Sequence, residues 1–335
     1  MSEEPLIVPQ PRPKLARTFL ILGVAVVLIL ALVSVTIGAY ELSVSELLDF
    51  ENLRANLVLL VSRVPRTIAI ILVGMSMGVA GMLMQMLSRN KFVSPSTAGT
   101  LEAASLGILV VTMFAPNSSV FFKILVSSLF ALAGTALLLA ILRRVPRRSP
   151  LVVPLLGIML GGVIAAFTTF LAYRYNFLQS LAAWTNGDFS RVLRGRYELL
   201  WLSGGLTLLA YIAADRFTVA GMGEAFTKNL GVNYGRIVAL GLTIVSLITA
   251  VNVVTVGAIP FIGLVVPNVV SMLIGDNVRR AIPWLAVFGA GFVLACDILG
   301  RTIRYPFEIP IGTVIGFVGG ALFLGMLLRR SSRVG

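Results

Sequence analysis

Residues 237–274 read IVALGLTIVSLITAVNVVTVGAIPFIGLVVPNVVSMLI, nearly forty positions without one charged side chain. That is about twice the ~20 residues a helix needs to cross the ~30 Å of hydrocarbon in a bilayer. Gly257, Pro260, Gly263 and Pro267 cut the run in its middle, so it reads as two spans joined by broken backbone. Lipid offers no partner to free N–H and C=O groups, so irregular backbone at membrane depth must be buried in protein or face a watery cavity. A solute carrier meets that requirement better than a simple anchor.

Outward from this stretch, further apolar runs lie at 18–40, 67–87, 97–115, 121–142, 151–172, 198–214, 283–300 and 309–328. With 237–256 and 258–274 they make ten expected transmembrane helices. Hydrophobic residues form 58% of the 335 and charged residues only 12%, more apolar matter than one soluble core buries, which excludes soluble α/β and all-β folds. The expected fold is an all-α polytopic membrane protein. It is a single domain over 1–335, with a tail at 1–17 and a polar segment at 215–236.

An even number of spans puts both termini on one side. Of the 27 lysines and arginines, 17 fall in the loops that share the side of the termini and 10 in the others. The positive-inside rule places that first side in the cytoplasm, with the cluster from Arg143 to Arg148 as the strongest local signal. The net charge of +13 is then a topology signal beside anionic lipid and implies no nucleic acid. The first apolar run is too long for a signal-peptide core and is expected to remain as a span.

Cys296 is the only cysteine and there is no histidine, so neither a disulfide framework nor the commonest metal ligand is available. No GxxxxGK[ST] loop or GxSxG elbow occurs, and no cofactor is implied. The chain reads as a transport subunit rather than an enzyme. If ATP drives it, another chain must bind the nucleotide.

Arg63-Val64-Pro65-Arg66 opens the second span at its outer end, and Arg301 and Arg304 close the ninth at the same face. Such residues either snorkel to the interface or, converging, pair with carboxylates of a docking protein or an acidic solute. Asp297 precedes Arg301 by four residues, which sets the two on one helix face as an ion pair. Glu102 in the third span is a membrane-depth acid expected at the pathway or a subunit interface. Gly74/Gly78, Gly157/Gly161 and Gly312/Gly316/Gly320 recur at four-residue spacing, giving flat strips that serve helix packing or line a pathway.

Arg63-Val64-Pro65-Arg66-Thr67, the Gly-rich span to Gln85, Arg89-Asn90, the stretch from Gly257 to Pro267, the turn from Asp276 to Arg280, Asp297 to Arg301 and Glu308-Ile309-Pro310-Ile311-Gly312 resemble the FecCD-type permeases. These are membrane subunits of ABC importers for iron-siderophores, haem and cobalamin. The resemblance covers residues 60–330 and implies the type II ABC importer permease fold. It implies these partners: an ABC ATPase dimer, a second permease (identical or paralogous), a periplasmic or lipoprotein substrate-binding protein, and a ferric siderophore as cargo. Docking of the binding protein falls to Arg63, Arg66 and Arg301. Asn268 stands where many members carry histidine, so a proton relay is not expected there. The stretch from Asn90 to Thr100 looks like the subgroup for catecholate chelates of the enterobactin and petrobactin type.

Gly221 to Asn233 is similar to the Glu-Ala and Gly coupling motif of such subunits. Glu224, Ala225, Phe226, Leu230 and Gly231 are its expected ATPase-coupling residues, with Ala225, Phe226, Leu230 and Val232 forming an apolar face that needs a partner. Glu102, Asn268, Gly78 and Gly161 are the pathway candidates. The resulting expectation is an importer permease in the bacterial cytoplasmic membrane, both ends cytoplasmic. A haem or cobalamin importer is the first alternative, and an ion-coupled carrier or channel is the alternative of another class.

Overall fold

The computed structural model describes residues 13–38, 53–144 and 152–331. The tail to residue 12 and the loop from 145 to 151, with most of the Arg143 to Arg148 cluster, lie outside the described residues. Among the described residues, seven helices are long and apolar enough to span a membrane. They are α1 (Pro13–Thr36), α3 (Val64–Ser88), α5 (Val120–Arg144), α6 (Val152–Arg174), α11 (Tyr234–Val256), α13 (Val278–Thr302) and α14 (Ile311–Ser331). Three shorter apolar helices, α4 (Thr100–Phe114), α8 (Leu200–Ile212) and α12 (Ile262–Ile274), complete the expected ten. Helix α2 (Leu53–Val58) runs through a π-helical turn, Leu59–Arg63, into α3. Helices α7 (Leu178–Thr185), α9 (Ala214–Gly221) and α10 (Glu224–Asn229) are brief connectors.

The short spans need explaining. At 1.5 Å per residue, the 13 to 15 residues of α4, α8 and α12 cover only about 20 Å, well short of the hydrocarbon thickness. The chain before α4 and α12 makes up the difference as irregular backbone. Residues 92–99 pack on α6, where a Cβ on Gly157 would collide with the Thr97 carbonyl. Residues 257–261 are tied to the 184–188 turn by Ala258 N donating to Trp184 O at 3.0 Å and Asp188 N to Val256 O at 2.8 Å. Gly312 N, at the start of α14, donates to Gly187 O at 3.1 Å. Each break is therefore sealed against protein, as lipid requires.

Helix α3 is the centre, with α8, α11, α12 and α13 packed around it. Lipid tails are as apolar as leucine, so these helices associate through close backbone approach rather than a hydrophobic drive. Gly74 abuts Gly289 of α13 and Gly81 abuts Gly263 of α12, so closely that a Cβ on either α3 glycine would meet the facing carbonyl. Ser76 is bridged to Ser203 of α8 through Asn252 of α11 (3.2 Å each), a polar link in the buried core. The Gly157/Gly161 strip likewise receives the chain before α4. The third strip is only partly covered: Gly316 has open space beside it.

Candidate functional site

The outer end is fastened by charge. Arg66 donates through Nη2 to Asp297 Oδ1 at 2.8 Å and through Nη1 to Glu308 Oε2 at 2.7 Å. Arg301 Nη2 lies 2.7 Å from Asp297 Oδ2, the expected one-turn pair, as an ion contact not aligned as a hydrogen bond. Donors of Arg63 and Arg301 close the C-terminus of α1. Arg63 Nη1 donates to Val35 O (3.0 Å) and Thr36 O (2.8 Å), while Arg301 Nη1 donates to Ser34 O (2.9 Å) and Ile37 O (2.7 Å). A helix leaves its last four carbonyls unpaired and carries about half a negative charge there, so two guanidinium groups satisfy both needs.

This corrects the expectation for the three arginines. Arg63 is 5% exposed and Arg301 4%, and the Arg66 side chain 12%, so none presents a free guanidinium to a docking protein. Their partners, apart from Asp297 for Arg301, lie far away in sequence, which is why spacing could not reveal them. The arginines seen exposed at this face are Arg174, Arg191, Arg194, Arg196 and Arg304, of which only Arg304 stands out in the sequence, at the end of the ninth span.

At the opposite end of the bundle, α9 buries Ala214, Phe217 and Ala220 against the spans. It is joined to the start of α13 by Val278 N donating to Thr218 Oγ1 (3.1 Å) and by an Arg279–Asp215 ion pair. Gly221 sits on Met86 of α3, and Arg89 lies over Gly223, whose Cβ would be 3.0 Å from Nη1. Helix α10 starts at Gly223 (φ +113°). It ends in paired bonds, Val232 N to Thr227 O (3.2 Å) and Gly231 N to Lys228 O (2.9 Å), with Gly231 at φ +71°. That is a Schellman end, which calls for a left-handed residue. Met222, Phe226 and Leu230 are left about half exposed, and Glu224 and Ala225 are exposed beside them. Val232 departs from expectation by turning inward onto the core.

Between the two ends lies a cavity of about 260 Å³, bounded by α4, α6, α7 and the broken segments at Ser96 and Ala258–Pro260. Glu102 lines it, and its Oε2 is sealed from solvent without a hydrogen-bond partner. The bare Cα of Gly161, midway along α6, makes the room: a Cβ there would stand 3.3 Å from the carboxylate. The other two pathway candidates have different roles. Gly78 lets α3 approach Leu285 and Val266, a packing position. Asn268 Nδ2 donates to Lys91 O (2.8 Å) and Leu264 O (2.7 Å) and so pins the loop after α3.

With this geometry in hand, comparison places the chain among known proteins. The FecCD transport family matches residues 26–330. Petrobactin import system permease protein YclN of Bacillus subtilis is 49% identical over 305 residues, 91% of this chain and 96% of that one. Petrobactin import system permease protein FatD of Bacillus anthracis is 41% identical over 92% of this chain and 91% of its own. Ferric-anguibactin transport system permease protein FatD of Vibrio anguillarum is 43% identical over 88% and 94%. Among solved structures, an inward-facing conformation of a metal-chelate type ABC transporter aligns with TM-score 0.77 over 94% of this chain and 99% of that one. At 24% identity that likeness speaks for the fold.

Proposed function

The chain belongs to the FecCD transport family, and from that premise we propose that it is the membrane-spanning subunit of an ATP-driven importer carrying a ferric siderophore inward, chemically unchanged. The observation that carries this reading is the identity of 41 to 49% with three siderophore permeases over nearly the whole of each chain. The helix bundle supports it with an exposed apolar face at Met222, Phe226 and Leu230, on an element bonded to the spans. A groove on a separate ATPase dimer takes that face. ATP-driven closure of the dimer then moves α9 and α10, and through them α3 and α13.

The complete importer on this reading holds a second permease, identical or paralogous, and an external binding protein. Both termini lie in the cytoplasm. The buried arginines Arg63, Arg66 and Arg301 hold the outer rim in shape, and acidic residues of the binding protein dock on Arg191, Arg194, Arg196 and Arg304. The test is ATP-dependent uptake of metal-labelled cargo (iron, or cobalt for cobalamin) into proteoliposomes holding the permease pair and ATPases, with the binding protein supplied. Catecholate, hydroxamate and citrate-type ferric chelates, haem and cobalamin are offered in turn. Uptake confined to haem or cobalamin would replace the siderophore reading with its alternative.

A further inference from the structure

The cavity at Glu102 has a one-sided chemistry. Its lining contains one acid and no lysine or arginine. It also contains five hydroxyls, on Ser96, Ser105, Thr168, Thr169 and Thr185. Four of them donate their proton back to their own helix: Ser105 to Leu101 O (3.0 Å), Thr168 to Ile164 O (2.7 Å), Thr169 to Ala165 O (2.8 Å) and Thr185 to Leu181 O (3.0 Å). A hydroxyl has one donor and two acceptor sites, so with the donor used only lone pairs face the cavity. Glu102 adds a carboxylate to the lining, with its partnerless Oε2 tucked against Gly161. The site therefore offers acceptors and negative charge, and almost no donors.

We propose that this cavity is a selectivity site that receives a protonated amine carried on the ferric chelate. An ammonium is the complementary group: it is cationic, it has two or three N–H donors and no acceptor, and it is small enough for the space. The carboxylate or catecholate edge of a chelate is excluded, since it would bring acceptors to acceptors and a negative charge to Glu102. Burial of a carboxylate that has no cation beside it is costly, and an arriving ammonium relieves that cost while the cargo is inside. Gly161 keeps the carboxylate in place, because any side chain there would crowd it.

The inference rests on the siderophore-importer reading. Its test uses the reconstituted importer with binding protein and two ferric chelates that share one iron-binding head. One carries a free amine and the other the same amine acetylated, and uptake is measured at saturating binding protein. Wild type is expected to carry the amine form about tenfold faster, the worth of one charge-assisted hydrogen bond. Glu102→Gln should bring the ratio close to one by slowing the amine form, and Glu102→Asp should keep most of it. A ratio left unchanged by Glu102→Gln, or an equal loss of both chelates in both variants, overturns the assignment. Free spermidine added as competitor tests whether an unattached ammonium holds the site. Inhibition of the acetylated chelate in wild type but not in Glu102→Gln supports the ammonium site, and equal inhibition in both refutes it. Failure of wild type to import either chelate would sink the importer reading itself, and this one with it.

Discussion

Gly231→Val isolates the proposed coupling element, because nothing stands within 4 Å of the Cβ it would add. Steric collision is thus absent and backbone strain is the whole effect. At φ +71° an L-residue costs about 1 to 2 kcal/mol, and a β-branched one lies at the upper end or beyond. Helix α10 has six residues, too few to hold a strained end through its own hydrogen bonds. A loss of about 2 kcal/mol lowers the population of the native turn relative to its opened form by about thirtyfold. Phe226 and Leu230 would then no longer project together. Co-purification of the tagged permease with its ATPase, and chelate uptake, should both fall severalfold, while binding-protein affinity at the opposite face stays unchanged. Gly231→Asn is the control, since asparagine tolerates the left-handed region, and it should retain most of both activities. Wild-type ATPase binding and uptake in Gly231→Val combined with Phe226→Asp would show that α10 is only a connector.

Asp297→Ala should lower stability by about 3 to 5 kcal/mol, read as an early transition in detergent unfolding, because it leaves Arg66 and Arg301 buried without their shared carboxylate. Gly81→Ala should cost about 2 kcal/mol or more by prising α3 from the Gly263 carbonyl, whereas Gly316→Ala, with open space beside it, should be near neutral in the same unfolding assay. Topology is testable by cysteine labelling in a background where Cys296 is buried: Ser190→Cys should react from outside and Asn229→Cys only from the cytoplasm, and the reverse pattern would invert every assignment. Charge reversal at Arg191, Arg194 and Arg196 together should weaken binding-protein docking most at low salt, and unchanged affinity would remove them from the docking surface.

What the chain discloses before folding follows from how local each signal is. The ten spans were legible because length and apolarity act residue by residue, and α4, α8 and α12 were found although each is too short to cross alone. Their true ends were not, since the broken backbone before them is held by other segments. The Asp297–Arg301 pair was legible from a spacing of four. The inward turn of Arg63 and Arg66 was hidden because the partners of Arg66 stand 231 and 242 positions away and Arg63 reaches main-chain carbonyls, which no residue type advertises. Glu102 drew notice as an acid in an apolar span, but serine and threonine are ordinary in such helices. Only their convergence around one space gives them meaning.

The fastening of α3 to α13 at three heights bears on how force crosses this subunit. The two helices are bolted by Arg66–Asp297 at the outer end and by the Gly74–Gly289 contact along their length. At the opposite end both rest on α9. A strut pinned in this way does not flex between its pins, so a push on α9 arrives at the outer rim as tilt, undiminished by bending. The other half is packed less tightly: the chain entering α4 sits on Gly157 and Gly161 of α6, but beyond that contact the two helices are parted by the Glu102 cavity. On the proposed reading, the rigid pair and the wall beside the cavity are separate sets of helices, and filling the cavity is expected to slow transport without loosening the α3–α13 pair.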